Sequence, residues 1–226
     1  MSSVQGSKNR NDDYAIISEK APFCAIADGI GGARDGDYMS RVGCGAGACE
    51  YERSGDLAAA FRYANEAAIQ TAEWLSNPAC GASLLLAETK ENEMRFVGAG
   101  DVAAFLLRNG HLERITPLGR NRGERRLASA VGYIHDCASY ERACAIEPGD
   151  KVLICTDGVW ETYFTFDAGL LVEYLGQEAT PSSLAARIVS GAKRLGTLDD
   201  ATAIVIQVDG NLTQKPSQGR LNTQGC

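Results

Sequence analysis

The order of its segments constrains this chain most. Strand-like runs come first, then two helices, then more strands, two further helices and a last strand. Strands that alternate singly with helices build parallel βαβ sheets, whereas strands and helices gathered into separate runs build α+β domains with antiparallel sheets. The expected class is therefore α+β.

Residues 14–18 and 23–27 are short apolar runs, and the second ends in Asp28-Gly29-Ile30-Gly31-Gly32, where glycine stops the strand. Residues 35–51 are rich in small side chains and read as a helix interrupted in composition by Gly43, Gly45 and Gly47. Residues 56–75 carry Leu57, Phe61, Ala64, Ile69 and Leu75 near a 3.6-residue period, with Asp56 as cap. Strand patterns return at 82–87, 94–98, 102–107 and 112–115, and Arg108-Asn109-Gly110-His111 supplies the Asn-Gly of a tight hairpin. Residues 139–145 and 151–156 read as strands, the latter ending in Asp157-Gly158. Two helices are then expected, at 167–175 and at 181–195, the second opened by Thr180-Pro181 and closed by Gly196. Residues 202–208 make the last strand. Residues 1–209 thus form one domain, and 210–226 read as a polar, flexible tail.

With 22 Lys+Arg against 29 Asp+Glu, the chain lacks the clustered positive charge that a nucleic-acid backbone demands, so no nucleic-acid partner is expected. No apolar run approaches the roughly 18 to 20 residues that span a bilayer, and the polar first residues do not resemble a secretory signal. A cytoplasmic, monomeric protein without membrane contact is expected. The eight cysteines contain no CxxC pair and no zinc-like spacing, so they are expected as free, mostly buried thiols.

The chemistry lies in aspartates at the ends of apolar segments: Asp12-Asp13, Asp28-Gly29, Asp157-Gly158 and Asp199-Asp200. Any one Asp-Gly taken alone is a common surface turn. Four such places in one small domain can converge, and a carboxylate beside a glycine that lets the backbone come close is a hard-oxygen ligand for a hard cation. Repulsion among so many carboxylates calls for divalent ions such as Mg²⁺ or Mn²⁺.

Six segments in order carry a family resemblance: Asn11-Asp12-Asp13, Ala27-Asp28-Gly29-Ile30-Gly31-Gly32, Gly81-Ala82-Ser83, Gly98-Ala99-Gly100-Asp101, Cys155-Thr156-Asp157-Gly158-Val159-Trp160-Glu161 and Asp199-Asp200-Ala201-Thr202. From about Lys8 to Val208 the chain resembles the PP2C-like (PPM) metal-dependent serine/threonine protein phosphatases, bacterial type. The resemblance implies an α-β-β-α sandwich: two central antiparallel sheets flanked by helix pairs, with a dinuclear metal centre at one end. It implies two Mn²⁺ or Mg²⁺ ions, with Asp28 bridging them, the Gly29 carbonyl on one, and Asp157 and Asp199 on the other. Asp12 stands where the family has a glutamate, and Asp13 supports it. The implied reaction is hydrolysis of phosphoserine and phosphothreonine by a metal-bridging hydroxide, opposing a bacterial-type Ser/Thr kinase in signalling.

The chain also departs from the family. Lys8 replaces an arginine that grips phosphate, so that role is expected of Lys8 shared with Arg10. Ile30 stands where animal enzymes have a histidine and cannot donate a proton. Val102-Ala103 follow Asp101 in place of Ser-Arg, which leaves Asp101 a supporting, loop-holding role, and Asp200 replaces an asparagine. No aspartate follows Thr116, which argues against a third metal, and the short basic segment with Arg120, Arg122, Arg125 and Arg126 reads as a solvated loop sooner than as a segment that attracts phosphopeptides. His111 and His135 read as surface residues. These departures keep a second reading open, a catalytically weak pseudophosphatase that acts as a regulatory binding module. A third, a phosphate loop at Gly29-Ile30-Gly31-Gly32, lacks the Gly-Lys-Ser/Thr ending of a P-loop.

Overall fold

The structure is a computed structural model, and it describes residues 1–7, 9–30, 35–120, 127–133 and 137–210. The elements in chain order are β1 (Ser2–Val4), β2 (Asp13–Ile17), β3 (Phe23–Gly29), α1 (Gly36–Ser54), α2 (Leu57–Trp74), β4 (Ala82–Lys90), β5 (Glu93–Ala99), β6 (Ala103–Arg108) and β7 (His111–Arg114). They continue with β8 (Tyr140–Ala145), β9 (Lys151–Cys155), α3 (Asp157–Phe166), α4 (Ala168–Gly176), α5 (Pro181–Leu195) and β10 (Ala201–Gln207).

Local chemistry sets the boundaries. Asp56 accepts a 3.0 Å hydrogen bond from the Ala59 N–H and so caps α2. Thr180 caps α5 through the Ser183 N–H, Pro181 opens its first turn, and Gly196 ends it in the left-handed region. Arg108 pairs with His111 across Asn109-Gly110, the hairpin expected from sequence. Helix α1 forms despite its glycines, because Gly43 and Gly47 present bare faces to Leu84 and Leu86 and let the helix lie close on β4.

The strands form two five-stranded sheets, ordered β1-β10-β9-β6-β7 and β2-β3-β4-β5-β8, with every neighbouring pair antiparallel. Three apolar layers bind the stack. Cys24, Ile26, Leu85, Phe96, Ile154 and Ile204 fill the space between the sheets. Phe23, Ala25, Leu84 and Leu86 pack against α1 and α2, and Phe105, Leu153, Ala203 and Val205 pack against the other helices. This is the expected α-β-β-α sandwich, with one correction. The second helical layer holds three helices, α3, α4 and α5, not a pair.

The sequence pattern announces a strand ending at Asp157-Gly158 and no helix before 167, whereas the structure has α3 there. Apart from Glu161, its residues 159–164 are β-branched or aromatic, poor helix formers by propensity. Tertiary packing overrides this: Val159, Trp160 and Tyr163 fall on one face and are buried, and the Tyr163 hydroxyl donates to the Ile188 carbonyl of α5 at 2.8 Å. Strand β1 was also missed, since its three residues gain their order only by pairing with β10 at the far end of the chain. Among the described residues all seven cysteines are free, as expected. No helix of the described residues is long and apolar enough to cross a membrane. Cys226, His135 and the tail from 211 onward lie outside the described residues.

Candidate metal centre

Strand periodicity builds the site. Side chains two apart on a strand share a face, so the row of inter-sheet residues that includes Ile26, Leu85, Ile154 and Ile204 is followed, one pleat further on, by Asp28, Ser83, Thr156 and Thr202. The apolar layer thus ends in a polar mouth. Asp13 pairs directly with Asp28 across β2 and β3. Two like charges opposite one another in a sheet repel unless something neutralises them.

Asp157 reaches the mouth from the other sheet, at the start of α3 just beyond β9. Asp28 feels repulsion from Asp13, Asp157, Asp101 and Asp199, and Asp157 from Asp101, Asp199 and Glu161. Burial first and then these neighbours raise the Asp28 carboxyl well above the ordinary carboxylate range and push Asp157 up to about 7. Burial likewise pushes Asp13 up to about 8, against the hydroxyls of Thr202 and Thr156 that favour its charged form. Four of the expected residues, Asp13, Asp28, Asp157 and Asp199, are therefore brought together electrostatically. So is Asp101.

Other side chains hold this arrangement. The Thr156 hydroxyl donates to Asp13 Oδ2 at 2.9 Å and accepts from the Thr202 N–H at 3.0 Å, which links the two sheets. Ser83 donates to Asp101 Oδ1 at 2.9 Å and accepts from the Asp101 N–H at 2.6 Å. Thr156, Thr202 and Ser83 were quoted in motifs without a role. Hydroxyls at the inward-facing end of otherwise apolar strands were the available signal.

Asp200 is expected to add negative charge at the centre and does repel Asp13 there, and its carboxylate is also used structurally. Its Oδ1 accepts from the Gly6 N–H at 2.6 Å and its Oδ2 from the Asp12 N–H at 2.8 Å, binding the N-terminal segment to the loop before β10. Asp12 is buried, its carbonyl accepts the Gly29 N–H at 3.0 Å, and its Oδ1 lies 3.3 Å from Arg10 Nε. Arg10 also faces Asp37 at 3.0 Å, a half-exposed cluster beside the mouth. Lys8 lies outside the described residues, as do Gly31, Gly32, Arg122, Arg125 and Arg126. Asp101 bonds to Ser83, and its carbonyl accepts from the Trp160 indole at 3.1 Å.

Arg120 corrects the sequence reading. It is not a solvated loop residue: its Nε donates to Asp101 Oδ2 at 2.6 Å and a terminal nitrogen to Asp157 Oδ2 at 2.5 Å. His111 is exposed and distant in role, as expected.

The donor set suits a hard divalent cation, since it consists of carboxylates and backbone carbonyls. The Oδ1 atoms of Asp13 and Asp157 are buried, with no hydrogen-bond partner among the described residues, at the place where charge crowds. Buried polar atoms left so are costly unless something else satisfies them. As they stand among the described residues, no three Asp, Glu, His or Cys side chains are close enough together to hold a metal ion. They line an open mouth instead. A cleft of 380 Å³ opens beside it, bounded by Asp157, Glu161, Phe166, Leu198 and Asp199. A larger groove of 590 Å³ lies toward the opposite end of the second sheet, among Glu88, Glu93, Arg95 and Arg142, away from these carboxylates.

Two facing antiparallel sheets between helical layers, with carboxylates at one end, define the PP2C-like phosphatase class. The chain matches solved structures of that class over nearly its whole length. The catalytic domain of the serine/threonine protein phosphatase PstP, in complex with two manganese ions, is 26% identical with a TM-score of 0.78, over 92% of this chain and 96% of that one. The Mycobacterium tuberculosis phosphatase PstP/Ppp is 24% identical with a TM-score of 0.80, over 92% and 97%. The phosphatase MsPP from Mycobacterium smegmatis, in complex with cacodylate, is 22% identical with a TM-score of 0.80, over 92% and 96%. The chain belongs to the PP2C-like family of Stage II sporulation protein E (SpoIIE), whose family model matches residues 43–209. By fold and family it stands among the PPM serine/threonine phosphatases. No curated protein sequence matches it.

Proposed function

We propose that the protein is a metal-dependent phosphatase that hydrolyses phosphoserine and phosphothreonine in proteins phosphorylated by a bacterial-type Ser/Thr kinase, working in the cytoplasm. The observation that carries this reading is the electrostatic convergence of Asp13, Asp28, Asp157 and Asp199 at the mouth between the sheets, with Oδ1 of Asp157 buried and without a hydrogen-bond partner among the described residues. The PstP domain, similar in fold, is in complex with two manganese ions.

In this reading Asp28, Asp157, Asp199 and the Gly29 carbonyl hold two Mn²⁺ or Mg²⁺ ions, with Asp12 beside them and Asp13, Asp101 and Asp200 in support. When bound, such ions supply an activated water as nucleophile and neutralise the phosphoryl oxygens. The chain does the rest. Thr156 and Ser83 fix the carboxylates, so that little reorganisation is needed when charge develops. Arg10, with Lys8, draws the phosphate to the mouth; its bonds to Asp12 and Asp37 are partly exposed, and such pairs exchange at low cost. Ile30 offers no proton, so the departing seryl oxygen takes one from solvent. The exposed Phe166 and Leu198 flank the cleft and suit apolar residues next to the phosphorylated one.

The engagement of Arg10 by two carboxylates, and of Asp157 by Arg120, favours the second reading, a pseudophosphatase that binds without turnover. Phosphate release from a phosphothreonine peptide separates the two. Turnover that requires Mn²⁺ and stops on addition of EDTA is expected. A folded, Mn²⁺-loaded protein that releases no phosphate would establish the binding module instead.

A further inference from the structure

Arg120 is built into the carboxylate mouth from both its backbone and its side chain. Gly119 before it has φ +70°, and a Cβ there would lie 1.9 Å from the Gly100 carbonyl oxygen and 2.7 Å from Asp101 Cα. The backbone at 119 is thus pressed onto the backbone at 100 and 101, which only glycine allows. On the other side Arg120 pairs with Leu127 in a β-bridge, and the Ala128 N–H donates to the Gly119 carbonyl at 2.9 Å. The guanidinium has little freedom: its side chain is 18% exposed, against 3% for Asp101 and 11% for Asp157. It donates to Oδ2 of both carboxylates and lies 3.3 Å from Glu161 at its outer edge.

The division of oxygens matters. Oδ2 of Asp157 accepts from Arg120, and Oδ1 of the same carboxylate is buried with no hydrogen-bond partner among the described residues. On Asp101, Oδ1 accepts from Ser83 and Oδ2 from Arg120. A planar guanidinium of fixed charge, held by a rigid backbone, does the electrostatic work of a cation between these two carboxylates. We propose that Arg120 is a resident cation of the centre: it closes the Asp101–Asp157 edge to a further divalent ion and holds Asp157 by Oδ2, which would leave Oδ1 available to a bound metal. It is a positioning residue, and the inference rests on the metal-dependent reading above.

Counting ions on the purified protein tests it without recourse to activity. Mn²⁺ is titrated by electron paramagnetic resonance and calorimetry into wild type, Arg120→Met and Arg120→Gln, with the fold of each checked by circular dichroism. The two neutral variants are expected to bind one Mn²⁺ more per chain than wild type. Adding Asp101→Asn to either should return the count to the wild-type value, and Arg120→Lys, which restores a positive charge, should keep it there. A purely structural role for Arg120 would move stability but not the count. Neutral variants that bind the wild-type number of ions, with affinity unchanged within twofold, would overturn the inference and leave the metal reading intact. A wild type that binds no Mn²⁺ at all would overturn both.

Discussion

Asp157→Asn is expected to lower phosphatase turnover by more than about 100-fold while leaving the fold intact. Loss of outer-shell partners alone typically costs 10- to 100-fold at metal sites, and in the proposed reading Asp157 is itself a ligand. The exchange keeps size and shape, but it removes the charge that attracts the ions and replaces one carboxylate oxygen by a donor. It also relieves repulsion: Asp157 faces Asp101, Asp199 and Glu161, with only Arg120 opposing them. The metal-free variant should therefore melt no lower than the metal-free wild type, although it has lost activity. A variant that kept more than a tenth of wild-type turnover would remove Asp157 from the machinery. Peptide turnover with saturating Mn²⁺ and thermal melts in EDTA measure the two halves.

Gly158→Ala is expected to damage both the fold and the site. A Cβ at 158 would lie 2.0 Å from the Asp200 carbonyl oxygen, a contact with backbone that no side-chain rotation can relieve. Overpacking of this kind costs about 1–3 kcal/mol and occasionally more. About 3 kcal/mol corresponds to a fall in Tm on the order of 10 °C for a domain of this size. The same push separates the segment at 199 and 200 from Asp157, so Mn²⁺ affinity should fall together with stability. Gly45→Ala is the contrast. A Cβ there meets nothing within 4 Å, in the middle of α1, and the helix should gain up to about 1 kcal/mol. Equal Tm values for the two variants would contradict the close approach described at Gly158.

The parts of the molecule legible in its sequence were those fixed locally. Asp56, Thr180-Pro181 and Asn109-Gly110 announced caps and a hairpin, because each acts within four residues of itself. The aspartates stood out because carboxylates at the ends of apolar strands are unusual and their order matched a known family. What stayed hidden depends on residues far apart in the chain. Helix α3 looks like a strand until Val159, Trp160 and Tyr163 find their layer among α5 and the first sheet. Asp200 looked like extra charge for the metals, and only the return of Gly6 and Asp12 to it shows a brace. Arg120 sat in a run of arginines, and such runs are commonly solvated. Its fixed place comes from Gly119 resting on Gly100, a contact that no local pattern encodes.

The central claim is that the carboxylates at the mouth form a divalent-cation centre, and a Mn²⁺ titration of the wild-type protein followed by calorimetry tests it most directly. Burial and mutual repulsion raise the carboxyls of Asp157 and Asp13 to about 7 and 8, so the metal-free centre holds protons at neutral pH that an incoming cation must displace. The account predicts two Mn²⁺ per chain, bound more tightly at pH 8 than at pH 6 with release of protons, and lost in Asp28→Asn. A folded wild type that binds no Mn²⁺ at either pH, or one whose binding is unchanged by Asp28→Asn, would contradict it.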